Sequence, residues 1–284
     1  MNHLPNLNGF SGKEIMEIIE LGMKVKKSPK KYESKLKGKT LALWFEKPSL
    51  RTRVSFEAGM AQLGGSAIYL DISTTHSKAN IKDETKCLSS YVDIIAARVF
   101  SQGTIEKMQS ASKVPVINAL SDKYHPCQAL ADMMTIFENA GNKGMTIAYV
   151  GDGNNVCNSL IEISKKLNIK INAATPKGMK PLLKPDLWTT DPKEAVKDAN
   201  IVYTDTWVSM GDEKKAKENM KKLKSYQVNK SLLGSRYFMH CLPAVRGQEV
   251  TDEVIDSKRS LVFQQAENRL HVQKAVILKL LNIV

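Results

Sequence analysis

The sequence predicts an α/β protein of two doubly wound parallel-sheet domains joined by interdomain helices. Three observations carry that reading. Short apolar runs alternate with amphipathic stretches along the chain, the pattern of parallel strands linked by helical crossovers. The alternation breaks once, at the polar segment Glu138-Asn139-Ala140-Gly141-Asn142-Lys143-Gly144, and restarts beyond it. At 284 residues and 42% hydrophobic composition, the chain has material for two cores of ordinary size. The predicted domains are therefore residues 1–137 and 138–265, followed by a last helical stretch over 266–284.

In chain order, a first helix is predicted over 11–27. The run Thr40-Leu41-Ala42-Leu43-Trp44-Phe45 reads as a buried strand that stops before Pro48. A helix follows over 51–63 and is ended by Gly64-Gly65. Ser49 stands where an N-cap belongs, with Arg51, Thr52 and Arg53 in the first turn. Cations are the wrong charge for a helix N-terminus. They make sense there if an anion is bound by backbone N–H groups, hydroxyls and guanidinium forks. The alternative is that the arginines are solvated or pair with Glu46 and Glu57. Next come a strand over 66–70, a loop over 71–80, a helix over 83–91, strands over 94–99 and 114–118, and a helix from Pro126. The second half repeats the alternation, with strands over 145–150, 170–174, 201–205, 237–241 and 261–263. Its first helix runs to 167, and a final one covers 266–281. There is no internal repeat and no low-complexity tract.

Composition narrows the function. The net charge of +13 comes mainly from lysine, clustered over 24–39 and 214–224. Both clusters contain glutamate, and Tyr32 is their only aromatic residue, so they read as a solvated surface and not as a nucleic-acid site. Such a surface also steers small phosphorylated substrates. No apolar stretch is long enough to span a membrane, and the N-terminus has no basic leader followed by an apolar core, which points to a cytoplasmic protein without membrane contact. Four scattered cysteines without a C-x-x-C pair suit a reducing compartment. His125-Pro126-Cys127 and His240-Cys241 lack zinc spacing, so no metal is expected. Gly151-Asp152-Gly153 after a strand suggests a dinucleotide-dependent oxidoreductase. However, Val156 replaces the third glycine and the next strand ends at Ala174-Thr175 without an acid for the ribose. No cofactor is expected.

Several residues invite a chemical role. Arg98 ends an apolar strand on the side where open α/β sheets bind ligands, and a buried arginine there needs an anionic partner. His125 and Gln128 lie one helical turn apart and share a face. A histidine at a helix N-terminus is disfavoured as imidazolium and serves better as a neutral donor. Asp205 ends a strand and leads into a loop containing Ser209-Met210-Gly211. His240 and Cys241 face opposite ways in a strand, and His240 reads as structural.

Four ordered motifs resemble those of the aspartate/ornithine carbamoyltransferase family. They are Ser49-Leu50-Arg51-Thr52-Arg53, His125-Pro126-Cys127-Gln128-Ala129-Leu130-Ala131-Asp132, Asp205-Thr206-Trp207-Val208-Ser209-Met210-Gly211 and His240-Cys241-Leu242-Pro243. The last two are similar to motifs of its ornithine branch. The resemblance implies transfer of the carbamoyl group of carbamoyl phosphate to the δ-amine of L-ornithine, with putrescine or N-acetylornithine as alternative acceptors. It implies phosphate binding by Ser49, Leu50 (through its backbone N–H), Arg51, Thr52 and Arg98, and carbamoyl contacts from His125, Gln128, Cys241, Leu242 and Arg269. Ornithine would be held by Asn155, Asp205, Ser209 and Met210, with the loop at Ser209 closing over it. Whether Asp205, Cys241 or phosphate takes the amine proton stays open, as does a biosynthetic or degradative role. The final helix is expected to pack back on the first domain, and the chain to form a homotrimer or an assembly of trimers. In the loop that would reach a neighbouring subunit, Thr74 aligns best and His76 is chemically better suited, with Lys78 also able to supply charge. Leu50 stands where relatives carry threonine, and the stretch 177–191 is short.

Overall fold

The computed structural model describes residues 3–72, 74, 80–141, 144–208 and 216–284. They form two compact units, Met1–Met134 with Asn268–Val284, and Thr135–Glu267. No helix among the described residues is long and apolar enough to cross a membrane.

In the first unit, strands β1 (Thr40–Phe45), β2 (Ser66–Asp71), β3 (Ile94–Arg98) and β4 (Val116–Leu120) form a parallel sheet in the order β2-β1-β3-β4. The five apolar residues Leu41 to Phe45 are all buried, as a strand covered on both faces requires. β4 starts later than the sequence suggests. Pro115 has no N–H to give a ladder, and Val114 N is turned onto Ser112 Oγ at 3.1 Å. Outside β4, Leu4 runs alongside Ile117, donating to Val116 O at 2.8 Å, so the N-terminal segment covers that edge.

Helix α1 (Gly12–Lys27) begins in a capping box between Ser11 and Glu14 and buries Ile15, Ile18, Ile19 and Val25 along one side. Helix α2 (Leu50–Gln62) is capped by Ser49, whose Oγ accepts from Thr52 N at 3.3 Å. Helix α3 (Ile81–Leu88) starts and ends two to three residues before the predicted 83–91, because Asn80 supplies the cap. Helix α4 (Gln102–Ala111) was not legible. It buries only Gln102, Ile105 and Met108, too few apolar positions to set a period.

The second unit is entered through α5 (Pro126–Ala140), so Glu138, Asn139 and Ala140 of the predicted break are the last turn of a helix that Gly141 follows at φ +80°. Strands β5 (Thr146–Val150), β6 (Lys170–Ala174), β7 (Leu187–Thr189), β8 (Ile201–Thr204) and β9 (Tyr237–His240) form a parallel sheet ordered β7-β6-β5-β8-β9. Helices α6 (Asn155–Lys166), α7 (Pro192–Val196), α8 (Ala216–Leu223) and α9 (Lys230–Leu233) lie between them, and α10 (Asp252–Ile255) follows β9. One face packs Ala148, Val150, Val202 and Phe238 with Trp207, Tyr226 and Val254. β7 and the short helices α7, α9 and α10 were not read from the sequence.

The stretch 261–263 is not a strand. Ser260 makes a single bridge to Phe238, and the chain then turns into α11 (Val262–Leu280). Three apolar residues cannot distinguish a strand from the first turn of a helix. Within the first unit, α11 residues Lys279 and Lys274 bond Glu17 and Gln62.

Gly64 turns the chain out of α2 at φ +83°, and a Cβ there would stand 2.7 Å from Glu33 O. Gly38 has a similar φ of +76° but meets nothing within 4 Å. Gly64→Ala should therefore lower the urea-unfolding free energy by more than Gly38→Ala, which loses only about 1 kcal/mol for its backbone conformation.

Candidate active site

In both sheets the strand order reverses beside the first strand, between β1 and β3 and between β5 and β8. Open α/β sheets bind ligands at the carboxyl ends of such strands.

In the first unit, Phe45 pairs with Arg98 at the ends of β1 and β3, and Glu46 N donates to Arg98 O at 2.8 Å. The register against β4 shifts between Ala97 and Arg98, a device that re-aims a side chain. Arg98 is 4% exposed. Glu46 accepts from Phe100 N at 2.8 Å and so ties the two strand-end loops together. Between them Lys47 is buried, its ammonium 5.1 Å from the centroid of the Phe100 ring.

Arg269 of α11 joins this set. It donates to Thr52 Oγ1 at 3.0 Å and to Gln128 Oε1 at 3.1 Å, while Gln128 Nε2 donates to Asp132 Oδ1 at 2.8 Å. The amide of Gln128 is thus oriented from both ends. His125, 3% exposed, precedes α5. Burial first, then the charges of Arg269, Arg98 and Lys47, hold its imidazole well below its ordinary value. Sequence reasoning credited the helix terminus, but burial and three converging cations dominate. Burial pushes the Cys127 thiol up to about 12, so it is inert.

The two arginines of the α2 first turn part company. Arg53 Nε pairs with Glu57 at 3.0 Å and its guanidinium lies 3.9 Å from the centroid of the Tyr69 ring, as the solvated-pair alternative has it. Only Arg51, half-buried, is left for an anion at this terminus. The Leu50 side chain is 77% exposed, so only its backbone can serve the site.

In the second unit, β5 ends in Gly151, Asp152 and Gly153, and Asn154 caps α6 by accepting from Val156 N and Cys157 N at 3.0 and 3.1 Å. Asn155 is the first residue of that helix. Asn154 Nδ2 donates to Asp205 Oδ2 at 2.6 Å. The other oxygen, Asp205 Oδ1, accepts from Thr206 N at 2.8 Å and from the Cys241 thiol at 3.0 Å. Asp205 and Cys241 are therefore together, as their strand ends imply. Tyr149 is fully buried and stacks on Tyr203 at 5.8 Å, and burial, followed by the nearby Asp205, pushes its phenol well above the ordinary range. Ser209 and Met210 lie outside the described residues, as do His76 and Lys78. Thr74 is exposed and donates to Asp71 O at 3.1 Å.

Asp205, His240 and Cys241 place ligand-type atoms within 4.8 Å of one another. The histidine cannot serve a metal. Its Nδ1 accepts from Leu242 N at 2.8 Å, so Nε2 carries the proton toward buried Glu249 at 3.1 Å. Leu242, held by that bond, adopts φ +56°, an unusual backbone for a branched residue.

The glycine turn is also filled. Gly153 N donates to Met179 O at 3.0 Å, and a Cβ on Gly153 would lie 2.3 Å from Pro181 N. Close approach at this glycine serves the chain's own 179–181 segment, not a dinucleotide. Lys47, Asp132, Tyr149 and Asn154 had no role assigned from sequence. Of these, Asn154 carried a signal as an asparagine just before a helix, and Asp132 as the last residue of the His125 motif.

A family model described as the carbamoyl-P binding domain of aspartate/ornithine carbamoyltransferase matches residues 2–138. A second, described as the Asp/Orn binding domain, matches residues 143–280. The chain is 47% identical to an ornithine carbamoyltransferase of Methanocaldococcus jannaschii, with 96% of this chain and 97% of that one covered. The solved structure of the ornithine carbamoyltransferase from Pyrococcus furiosus superposes with a TM-score of 0.93 at 45% identity, covering 99% of this chain and 97% of that one. The Thermus thermophilus enzyme gives 0.91 at 43% identity, with 98% of each chain covered.

Two outcomes follow from this geometry. The unfolded chain protonates His125 near its ordinary value of about 6.5, while the folded chain does so only at lower pH. Stability should therefore fall as pH drops through and below that value, and His125→Gln should flatten the slope measured by urea titration. Gly153→Ala should cost about 1–3 kcal/mol by overpacking, while millimolar NAD or NADP should leave the wild-type melting temperature unchanged.

Proposed function

The chain belongs to the aspartate/ornithine carbamoyltransferase family, and we propose on that footing that it transfers the carbamoyl group of carbamoyl phosphate to the δ-amine of L-ornithine, releasing L-citrulline and phosphate. The observation that carries this reading is the convergence of Arg98, Arg269 and Lys47 on a histidine kept neutral. A dianionic acyl phosphate wants fixed cations, and a carbonyl gaining negative charge wants a neutral N–H donor. One buried cluster offers both.

In this reading Ser49, Leu50 N–H, Arg51, Thr52 and Arg98 hold the phosphate, and Lys47 adds charge. His125 and Arg269 donate to the carbonyl oxygen. Gln128 Oε1, oriented by Asp132 and Arg269, has a second lone pair for the carbamoyl NH₂. The Leu242 carbonyl, fixed by the φ of +56°, accepts from the same group. Asp205, with the Cys241 thiol beside it, binds and orients the δ-amine. The neutral amine nitrogen attacks the carbonyl carbon, the C–O bond breaks with its electron pair leaving on the phosphate oxygen, and the amine proton passes to Asp205, Cys241 or that phosphate. Asn155, Ser209 and Met210 take the α-amino and α-carboxylate groups. The charge pattern supports an amine acceptor over aspartate, whose second carboxylate would face Asp205.

We also propose a homotrimer acting in the cytoplasm. Leu50 and Val54 on α2 are 77% and 51% exposed and Ile68 on the edge strand β2 is 50% exposed, an apolar group of the kind that subunits cover.

The test is citrulline formation from carbamoyl phosphate with L-ornithine, putrescine or N-acetylornithine. Product is expected with ornithine alone, and Arg51→Ala should lower kcat/KM by about 10²–10³-fold. Comparable turnover of putrescine would overturn the assignment of the acceptor.

A further inference from the structure

We infer that Asn154 is a positioning residue for the transfer reaction: its side-chain amide fixes the Asp205 carboxylate in the orientation that receives the δ-amine. The inference rests on the function proposed above and assigns a role to a residue that lies beside the binding set, not in it.

The argument starts from the orientation of the amide, which its partners leave no freedom to reverse. Asn154 Oδ1 accepts from two backbone N–H groups, Val156 at 3.0 Å and Cys157 at 3.1 Å, and from the Tyr149 hydroxyl at 3.2 Å. A flipped amide would set its NH₂ against those N–H donors. The nitrogen therefore faces Asp205 Oδ2, at 2.6 Å. Because the other carboxylate oxygen is held by Thr206 N and the Cys241 thiol, Asp205 is gripped at both oxygens and cannot rotate.

Capping alone does not explain an asparagine here. Serine and aspartate cap helices about as well, since the cap uses only an oxygen. What asparagine adds is the NH₂ group, and that is the atom on Asp205.

The support behind Asn154 is equally fixed. Gly153 is locked to the 179–181 segment, which sets where the next residue lies. Tyr149 stacks on Tyr203, whose hydroxyl accepts from Gln265 Nε2 at 3.0 Å. Gln265 Oε1 in turn accepts from His240 N at 3.0 Å, the residue before Cys241. A continuous chain of hydrogen bonds and one ring stack thus runs from the cap of α6 to the residue before Cys241.

Two substitutions separate positioning from capping. Asn154→Ser and Asn154→Asp both keep the cap oxygen, so the serine variant should melt close to wild type, and the aspartate variant should do so at acid pH. The serine loses the donor to Asp205, and kcat/KM for ornithine should fall about ten- to a hundredfold, the worth of a hydrogen bond to a charged group. Calorimetric affinity for carbamoyl phosphate should not change. The aspartate sets a second carboxylate against the first, so its loss should be larger at neutral pH and should recover toward acid pH, where such a pair shares a proton. If both variants match wild type with ornithine, or lose affinity for carbamoyl phosphate and ornithine alike as they lose stability, Asn154 is only a cap and the inference is wrong. A wild type that forms no citrulline overturns the function itself and this role with it.

Discussion

A parallel sheet whose strand order reverses leaves a crevice at the carboxyl ends of two neighbouring strands, because the crossovers on either side depart toward opposite faces. Both units of this chain depend on that constraint. It brings Arg98 beside the loop that leads to Ser49 and α2, through the pairing of Phe45 with Arg98. It brings Asp205 beside the turn that leads to Asn154 and α6, through the pairing of Tyr149 with Tyr203 two residues before it. The helix that follows each first strand is capped by a side chain, Ser49 or Asn154, so the backbone enters both crevices in a defined direction. The chemistry differs between the units, but the geometry that presents it is the same.

Charge is handled differently at the two crevices. In the first, Arg98 and Arg269 are almost wholly buried with Lys47 near them, an arrangement that costs several kcal/mol per ion unless it is compensated. His125 lowers that cost by staying neutral. In the second, the Asp205 carboxylate is held by neutral donors, and the aromatic ring and thiol behind it, Tyr149 and Cys157, are kept protonated mainly by burial, with Asp152 and Asp205 adding to it. One crevice gathers cations around a neutral imidazole, and the other presents a carboxylate.

Much of this was legible in the sequence where local and global signals agreed. The run 40–45 is apolar throughout and became a buried strand, and Ser49 became the cap that its position before a helical pattern suggests. Legibility failed where one signal had two physical readings. Arg51 and Arg53 share a turn, but only the second lies within reach of both Glu57 and Tyr69, and that depends on how β2 packs beside α2. Leu261-Val262-Phe263 is equally a strand or the start of a helix, and the outcome depended on whether β9 had room for a neighbour beyond one bridge. Lys47 could not be distinguished among so many lysines, because the ring near its ammonium, Phe100, lies far along the chain. Gly153 looked like half of a nucleotide turn, whereas its close neighbour is Met179.

Arg269 reaches Thr52 across 217 positions of sequence, and α11 also supplies Lys274 and Lys279 to the first unit. The first unit is thus discontinuous, while residues 135–267 form an uninterrupted second unit. On the ribosome, where domains fold as their residues emerge, the second unit can complete itself while the first still lacks its last helix. The cluster of Thr52, Arg98, His125 and Gln128 thus lacks its Arg269 contacts until that helix docks, after the second unit has all of its residues.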